Sequence, residues 1–88
     1  MYYAFDLNDT YRLDNYTMDN IDIISMVAFD TIERLEKFLD INYSYIGVYD
    51  HEEKYPTPVN FKSRKEAQIE LIKCLNKEDK HGRIYWIA

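Results

Sequence analysis

The 88-residue sequence is poor in the residues on which many active sites and small stapled folds depend: it has two glycines, two prolines and one cysteine. Gly47 and Gly82 stand apart from each other, so no glycine-rich loop is present to cradle a phosphate. Cys74 has no second cysteine with which to form an internal disulfide, as is usual in a reducing compartment. These shortages argue against a phosphate-loop enzyme and against a disulfide-stapled secreted domain.

Long apolar runs are also missing. The longest, residues 23–29, is seven residues with Ser25 inside it, whereas a helix needs about 20 apolar residues to cross a bilayer. The opening MYYAFDLND lacks the basic and apolar regions of a secretory signal. With 47% apolar and 31% charged residues, the composition is that of a folded protein. We expect one cytoplasmic domain, residues 1–88, without membrane contact.

Three possible metal or catalytic sites lack residues that such sites require. Residues 6–17 begin like a calcium loop, but Tyr11 and Thr17 occupy the positions that need Gly and Glu. His51 has no histidine or cysteine at ligand spacing, and Cys74 falls on the apolar side of a predicted helix, where a cysteine behaves as a small buried hydrophobe. We therefore expect no metal, no cofactor and no enzymatic activity.

Several segments have the composition of strands. Residues 2–7 and 11–16 are aromatic-rich and separated by turn formers, which predicts a hairpin. Residues 21–29 favour a buried strand over a helix that starts near residue 17. The β-branched and aromatic residues 41–50 predict another strand, and RIYWIA, residues 83–88, a last one.

Two segments have helical periodicity. In the first, Ile32, Leu35 and Phe38 fall on one side, and Asp30 with Glu33 has the spacing of a capping box. In the second, Ser63 and Glu66 have the same spacing, and Gly82 is expected to end the helix. Together these segments predict an α+β fold, a small antiparallel or mixed sheet of four to five strands covered by two amphipathic helices.

Charge divides the chain unequally. Residues 1–54 carry 12 acidic and 4 basic side chains, a net charge of −8, while residues 55–88 carry 4 acidic and 7 basic, a net charge of +3. A face that binds DNA or RNA directly is basic, so direct binding of nucleic acid is not expected. The acidic half fits a basic protein surface instead.

The acidic charge is densest in what we call the acidic segment, residues 6–22, which holds five Asp and three Asn against a single Arg12. Tyr11 and Tyr16 lie among the carboxylates, and tyrosine is a common anchor at interfaces because its rigid ring adds contact area at small entropic cost. Two acids of the first helix would enlarge the patch. The predicted partner-binding residues are Asp6, Asp9, Tyr11, Asp14, Tyr16, Asp19, Asp22, Glu33 and Glu36.

These features predict a small non-enzymatic binding protein, a monomer or simple homodimer, that docks on a basic surface of a larger protein such as a nucleic-acid-binding enzyme and inhibits or regulates it. In size and charge, though in no motif, the chain resembles the small acidic anti-defence inhibitors encoded by phages, including anti-CRISPR proteins. The alternative is a self-associating structural or accessory subunit in which the acidic half of one chain meets the basic half of another.

Overall fold

The computed structural model describes residues 1–51 and 54–76 and the backbone of residues 84–87. Five strands and two α-helices follow one another in the order β1-β2-α1-β3-β4-α2-β5, with two short 3-10 helices between β1 and β2. The strands are β1 (Tyr2–Asp6), β2 (Met26–Phe29), β3 (Tyr45–Asp50), β4 (Thr57–Pro58) and β5 (Ile84–Ile87). The helices are α1 (Ile32–Ile41), α2 (Arg64–Leu75) and the 3-10 helices Leu7–Tyr11 and Ile21–Ile23.

The strands pair antiparallel throughout the described residues. β1 lies between β2 and β3, with Ala4 opposite both Val27 and Gly47. Gly47 also pairs with Ile87 of β5, so β5 lies on the other edge of β3. Asp50 pairs with both Thr57 and Ile84, which puts β4 on the same edge of β3 as β1. The five strands therefore occupy four positions across the sheet, and β4 continues the line of β1.

The two helices lie on opposite faces of this sheet. Side chains of a strand alternate between faces, so Phe5 and Ile46 point to one side and Ala4 and Gly47 to the other. Phe5 and Ile46 belong to a buried cluster that includes Ala67 and Leu71 of α2. A Cβ added at Gly47 would instead meet Leu35 and Leu39 of α1. We call these the α2 face and the α1 face.

Both predicted helices form, although the first begins one residue later than expected. Its N-cap is Thr31, whose Oγ1 accepts a hydrogen bond from the Arg34 N–H at 3.2 Å. Asp30 instead forms an exposed ion pair with Arg34, at 3.4 Å. The Ser63 cap of α2 is confirmed, because its Oγ accepts from the Glu66 N–H at 3.2 Å. Gly82, the predicted end of that helix, lies outside the described residues.

The predicted hairpin of residues 2–7 with residues 11–16 is wrong. β1 forms, but its partners are β2 and β3, and the chain after Asp6 turns at once into the 3-10 helix Leu7–Tyr11. The predicted strand of residues 21–29 is reduced to Met26–Phe29, since its first part is 3-10 helix. The predicted strand of residues 41–50 begins only at Tyr45, because Ile41 is the last residue of α1. The α+β class, the antiparallel sheet and the two α-helices are confirmed.

Membrane crossing would require a helix longer and more apolar than either α1 or α2, and the described part of the chain has no other α-helix.

Candidate partner-binding surface

The acidic segment is neither strand nor free loop; it folds over the α2 face around the side chain of Tyr16. That ring is 4% exposed and belongs to the buried cluster that contains Phe5, Ile24 and Leu71. Its hydroxyl donates a hydrogen bond to the Thr10 carbonyl. A buried tyrosine needs such a partner, and this one ties the centre of the segment to its start. Tyr16 is therefore a core residue and is removed from the predicted binding set.

Asn76, the residue that caps the end of α2, holds the backbone of Tyr16 from the other side. The Tyr16 N–H donates to Asn76 Oδ1 at 3.0 Å, and Asn76 Nδ2 donates to the Tyr16 carbonyl at 2.7 Å. One amide side chain thus satisfies both polar backbone groups of a residue 60 positions away. Nothing in the local sequence around Asn76 indicates this long-range role.

Asp9 fixes the segment to the strand that follows it. Its Oδ2 accepts a hydrogen bond from the Ser25 N–H at 2.9 Å, and Arg12 lies 3.8 Å from its Oδ1. The hydrogen bonds from Ser25, helped by the charge of Arg12, lower the pKa of the Asp9 carboxyl below its ordinary value. Asp9 is therefore ionised at neutral pH and holds the backbone just before β2.

Two further carboxylates of the predicted set have structural partners. Asp6 caps the first 3-10 helix, because its Oδ1 accepts from the Asn8 N–H at 3.0 Å. Asp22 accepts a hydrogen bond of 2.7 Å from Nε2 of Gln68, a buried polar side chain of α2. These bonds orient the carboxylates without neutralising them, so Asp6, Asp9 and Asp22 still contribute negative charge to the surface.

Five residues of the segment point outward from this fixed frame. Tyr11 is 87% exposed, and Asp14 and Asp19 are also exposed. Leu13 and Met18, which the sequence did not single out, are 39% and 40% exposed. We call these five residues the exposed set. Two carboxylates, two aliphatic side chains and one aromatic ring thus face solvent on a short stretch that is bonded to the core at Tyr16.

A shallow groove of about 450 Å³ lies between this stretch and α2, and we call it the α2 groove. Met18 lines one side, and Ile69 and Ile72 line the other, with Ile69 38% exposed. Lys73 lies at its rim and forms an ion pair with Glu70 at 3.3 Å. The groove can take an aliphatic side chain of a partner directly beside the exposed carboxylates.

Glu33 and Glu36 do not join this patch. Both are exposed on α1, which covers the opposite face of the sheet from the acidic segment. Tyr49 is on that face too: burial raises the pKa of its hydroxyl, and the charges of Glu36 and Asp40 raise it further. The structure therefore divides the predicted site into an acidic segment on the α2 face and separate acids on the α1 face.

Tyr43 is a second exposed ring near the start of the acidic segment. It is 86% exposed in the turn between α1 and β3, and the carbonyl of the next residue, Ser44, accepts a hydrogen bond of 2.7 Å from the Leu7 N–H. Only its exposure distinguishes Tyr43 from the other tyrosines of the sequence. Tyr11 and Tyr43 are the two most exposed large hydrophobic side chains of the described residues.

No cluster of three or more His, Cys, Asp or Glu side chains within the described ranges is arranged to hold a metal ion. Cys74, predicted to be buried, is half-buried on α2 and forms no disulfide. The described groups thus offer charge, aromatic surface and a shallow groove for contact with another molecule.

No protein-family model matches the chain, and comparisons with curated proteins and with solved structures give no match either.

Proposed function

We propose that the protein acts by binding: it docks on a basic surface of a larger protein through the exposed set of the acidic segment, and in doing so inhibits or regulates that partner. A nucleic-acid-binding enzyme is a natural candidate, because the surface that holds a phosphate backbone is rich in Lys and Arg. The mode of action would be that of small acidic phage anti-defence inhibitors, including anti-CRISPR proteins. No chemical step is assigned to the protein.

One observation carries this proposal: hydrogen bonds and packing hold the acidic segment in place, while the side chains of Tyr11, Asp14 and Asp19 make no hydrogen bond or ion pair within the described residues. The Tyr16 ring, the Asn76 amide and the Asp9 carboxylate immobilise the chain on both sides of Tyr11 and Asp14. A binding loop that is already ordered loses less conformational entropy when the complex forms. Exposed Tyr, Leu and Met on such a loop are suited to contact a partner.

The charge of the segment supports the same proposal. All five of its Asp residues are exposed or partly exposed. Its single basic residue, Arg12, is already beside Asp9. Such a concentration of negative charge accelerates encounter with a basic surface, and the acceleration decreases as salt screens it. Tyr11 and the α2 groove would then supply the short-range contacts that slow dissociation.

A photo-crosslinking amino acid at position 11 tests the proposal in cell lysate. We expect the probe in place of Tyr11 to form a covalent adduct with one protein of basic surface, in a yield that decreases with added salt. The matched control places the same probe at Tyr55, which is 73% exposed and lies outside the acidic segment. Equal adducts at both positions, or none at position 11 while the partner still co-purifies, would place the interface elsewhere.

Self-association of acidic and basic halves remains the alternative, and mass distinguishes it. If the protein docks on a foreign partner, the purified protein alone should be a species near 10.7 kDa or a simple dimer. If the acidic half of one chain pairs head-to-tail with the basic half of the next, the purified protein should form larger assemblies that dissociate as salt is added. Light scattering at low and moderate salt separates these outcomes.

A further inference from the structure

A second surface, distinct from the acidic segment, lies where α1 meets the edge strand β2. A groove of about 480 Å³ runs between them, and we call it the β2 groove. Its apolar side chains are those of Phe29, Phe38 and Ile41, and Ala28 of the edge strand also borders it. Ile41 is 67% exposed, although an isoleucine at the end of an amphipathic helix is ordinarily covered.

Within the part of the chain that the structure describes, the outer edge of β2 has backbone hydrogen-bonding groups that pair with no strand. The Asp6 N–H donates to the Ser25 carbonyl at 2.9 Å, so this facing pair is a hydrogen-bonded one. Hydrogen-bonded and non-hydrogen-bonded pairs alternate along antiparallel strands, so the N–H and C=O groups of Met26 and Ala28 point away from β1. Among the described residues no strand pairs with that edge. β2 also contains no charge or proline of the kind that guards edges against pairing.

The acidic and the basic side chains of α1 lie on different sides of the helix, and the basic ones border this groove. Glu33, Glu36 and Asp40 lie on one side of the helix, and two of them act on Tyr49 of the central strand β3. Arg34 and Lys37 line the β2 groove. They are two of only four basic residues within the first 54 positions of the chain. An apolar groove at an open strand edge is thus bordered by positive charge on an otherwise acidic half.

We infer that the β2 edge and its groove bind an extended acidic segment of a partner protein as an added strand. The backbone of that segment pairs with Met26 and Ala28, an apolar side chain enters between Phe29 and Phe38, and carboxylates two residues to either side reach Arg34 and Lys37. Lys37 has no ion-pair partner among the described residues, and the pair of Arg34 with Asp30 is exposed at both ends and easily exchanged.

Charge favours this occupant over a second copy of the chain. A two-fold pairing of β2 with itself would bring two copies of Arg34 and Lys37 together along adjacent helices, and like charges there repel. The chain's own acidic segment cannot serve as the added strand, because it is folded in 3-10 turns and bonded to the core through Tyr16. The surface therefore fits a foreign strand with a carboxylate, a spacer and an apolar residue.

Amide exchange tests the geometry directly with designed peptides. The probe is a seven-residue peptide with Glu second and sixth, Val fourth, Thr third and fifth and Ser at both ends; Lys replaces Glu in the first control and Ala replaces Val in the second. In the free protein we expect the Met26 and Ala28 amides to exchange faster than those of Val27 and Phe29. The Glu peptide should protect the two fast amides and shift the Ile41 methyl resonances, and the Lys peptide should not.

Variants separate the backbone contribution from the charge contribution. Ala28→Pro removes one outward N–H, which an edge strand tolerates, and should abolish binding of the Glu peptide. The double variant Arg34→Glu with Lys37→Glu should weaken that binding at least tenfold and reverse the preference to the Lys peptide, even if the proline variant fails to fold. Lys62→Glu with Lys65→Glu, which changes the same number of charges near the start of α2, should leave binding unchanged.

Two results would overturn the inference. Equal resonance shifts with the Glu and Lys peptides would show that Arg34 and Lys37 do not select the occupant. Protection of Met26 and Ala28 that rises with protein concentration in the absence of peptide, and is lost in Ala28→Pro, would show that a second copy covers this edge. Neither result bears on the acidic segment, which lies on the other face of the sheet.

Discussion

The two faces of the sheet are covered in different ways. On the α2 face a helix and an irregular acidic segment together enclose the cluster of Phe5, Tyr16 and Leu71. On the α1 face one helix lies close against Gly47 and meets the edge strand at Phe29 and Phe38, whose ring centroids are 5.1 Å apart and which remain half-buried. In a domain this small, a segment whose sequence resembles a solvated loop can bury part of the hydrophobic core. The segment proposed to bind a partner is therefore also part of the fold.

The largest effect expected from this comparison is on stability, at Tyr16. Tyr16→Ala leaves a cavity in the cluster on the α2 face and removes the hydroxyl that bonds Thr10, so we expect a loss of about 3 kcal/mol or more in the free energy of unfolding. Tyr11→Ala is the matched control in the same segment and should change it by no more than about 0.5 kcal/mol. Urea unfolding followed by circular dichroism measures both. Similar losses at the two positions would contradict the division into core and exposed residues.

The second largest loss of stability is expected at Asn76. Asn76→Ala leaves the N–H and C=O of Tyr16 without their partner in a half-buried place, which costs about 2 kcal/mol. Asn76→Asp keeps an acceptor for the N–H but loses the donor to the carbonyl, so it should be intermediate at neutral pH. Chemical unfolding gives the stabilities, and amide exchange at residue 16 reports whether the acidic segment loosens first. An unchanged exchange rate in Asn76→Ala would show that the segment is held by its apolar contacts alone.

Gly47 tests the close packing on the α1 face. A Cβ there would lie 3.1 Å from both Leu39 Cδ1 and Tyr49 Cε2, so one of these side chains must move. Alanine also relieves the entropic cost of glycine in a strand, about 0.5–1 kcal/mol, which opposes the crowding. We expect Gly47→Ala to destabilise the fold by about 1 kcal/mol and Gly47→Val by more. A stabilised alanine variant would mean that α1 is not tightly seated on β3.

The Asp9 carboxylate should make a smaller, pH-dependent contribution. Its pKa is lowered in the folded protein, so it stabilises the fold above the ordinary aspartate pKa of about 3.9, and this contribution is lost as pH falls through the lowered value. Asp9→Asn retains an oxygen for the Ser25 N–H but has no charge to titrate. The variant's stability should therefore decrease less than that of the wild type between about pH 5 and pH 2. Parallel curves would contradict the role of the ionised carboxylate.

The predictability of the two faces differs for a physical reason. α1, α2 and the strands β1 and β3 are visible in the sequence because their periodicity and capping residues are local, as with Ser63 and Glu66. The acidic segment has no period, and its shape depends on bonds to distant residues such as Asn76 and Gln68. No local pattern could distinguish Tyr16 from Tyr11, since only the long-range packing decides which ring is buried.

The candidate site shows the same limit. Its negative charge follows from composition, and Asp14 and Asp19 are found where a solvated acidic surface was expected. The sequence did not reveal that Asp9 and Asp22 have structural partners, because Ser25 and Gln68 reach them only once the chain has folded back on β2 and α2. The sequence also predicted that Glu33 and Glu36 belong to this patch, but the sheet lies between them and the acidic segment.

The central claim is that the exposed acids on the α2 face, rather than net charge in general, guide docking on a basic partner. Association rates with the captured partner at low and moderate salt test it most directly, with Asp14→Asn plus Asp19→Asn compared against Glu33→Gln plus Glu36→Gln. Both double variants remove two charges, so net charge is matched. We expect the first to slow association several-fold at low salt and to flatten its salt dependence, while the second stays close to wild type. Equal slowing in both, or no slowing in the first, would contradict the claim.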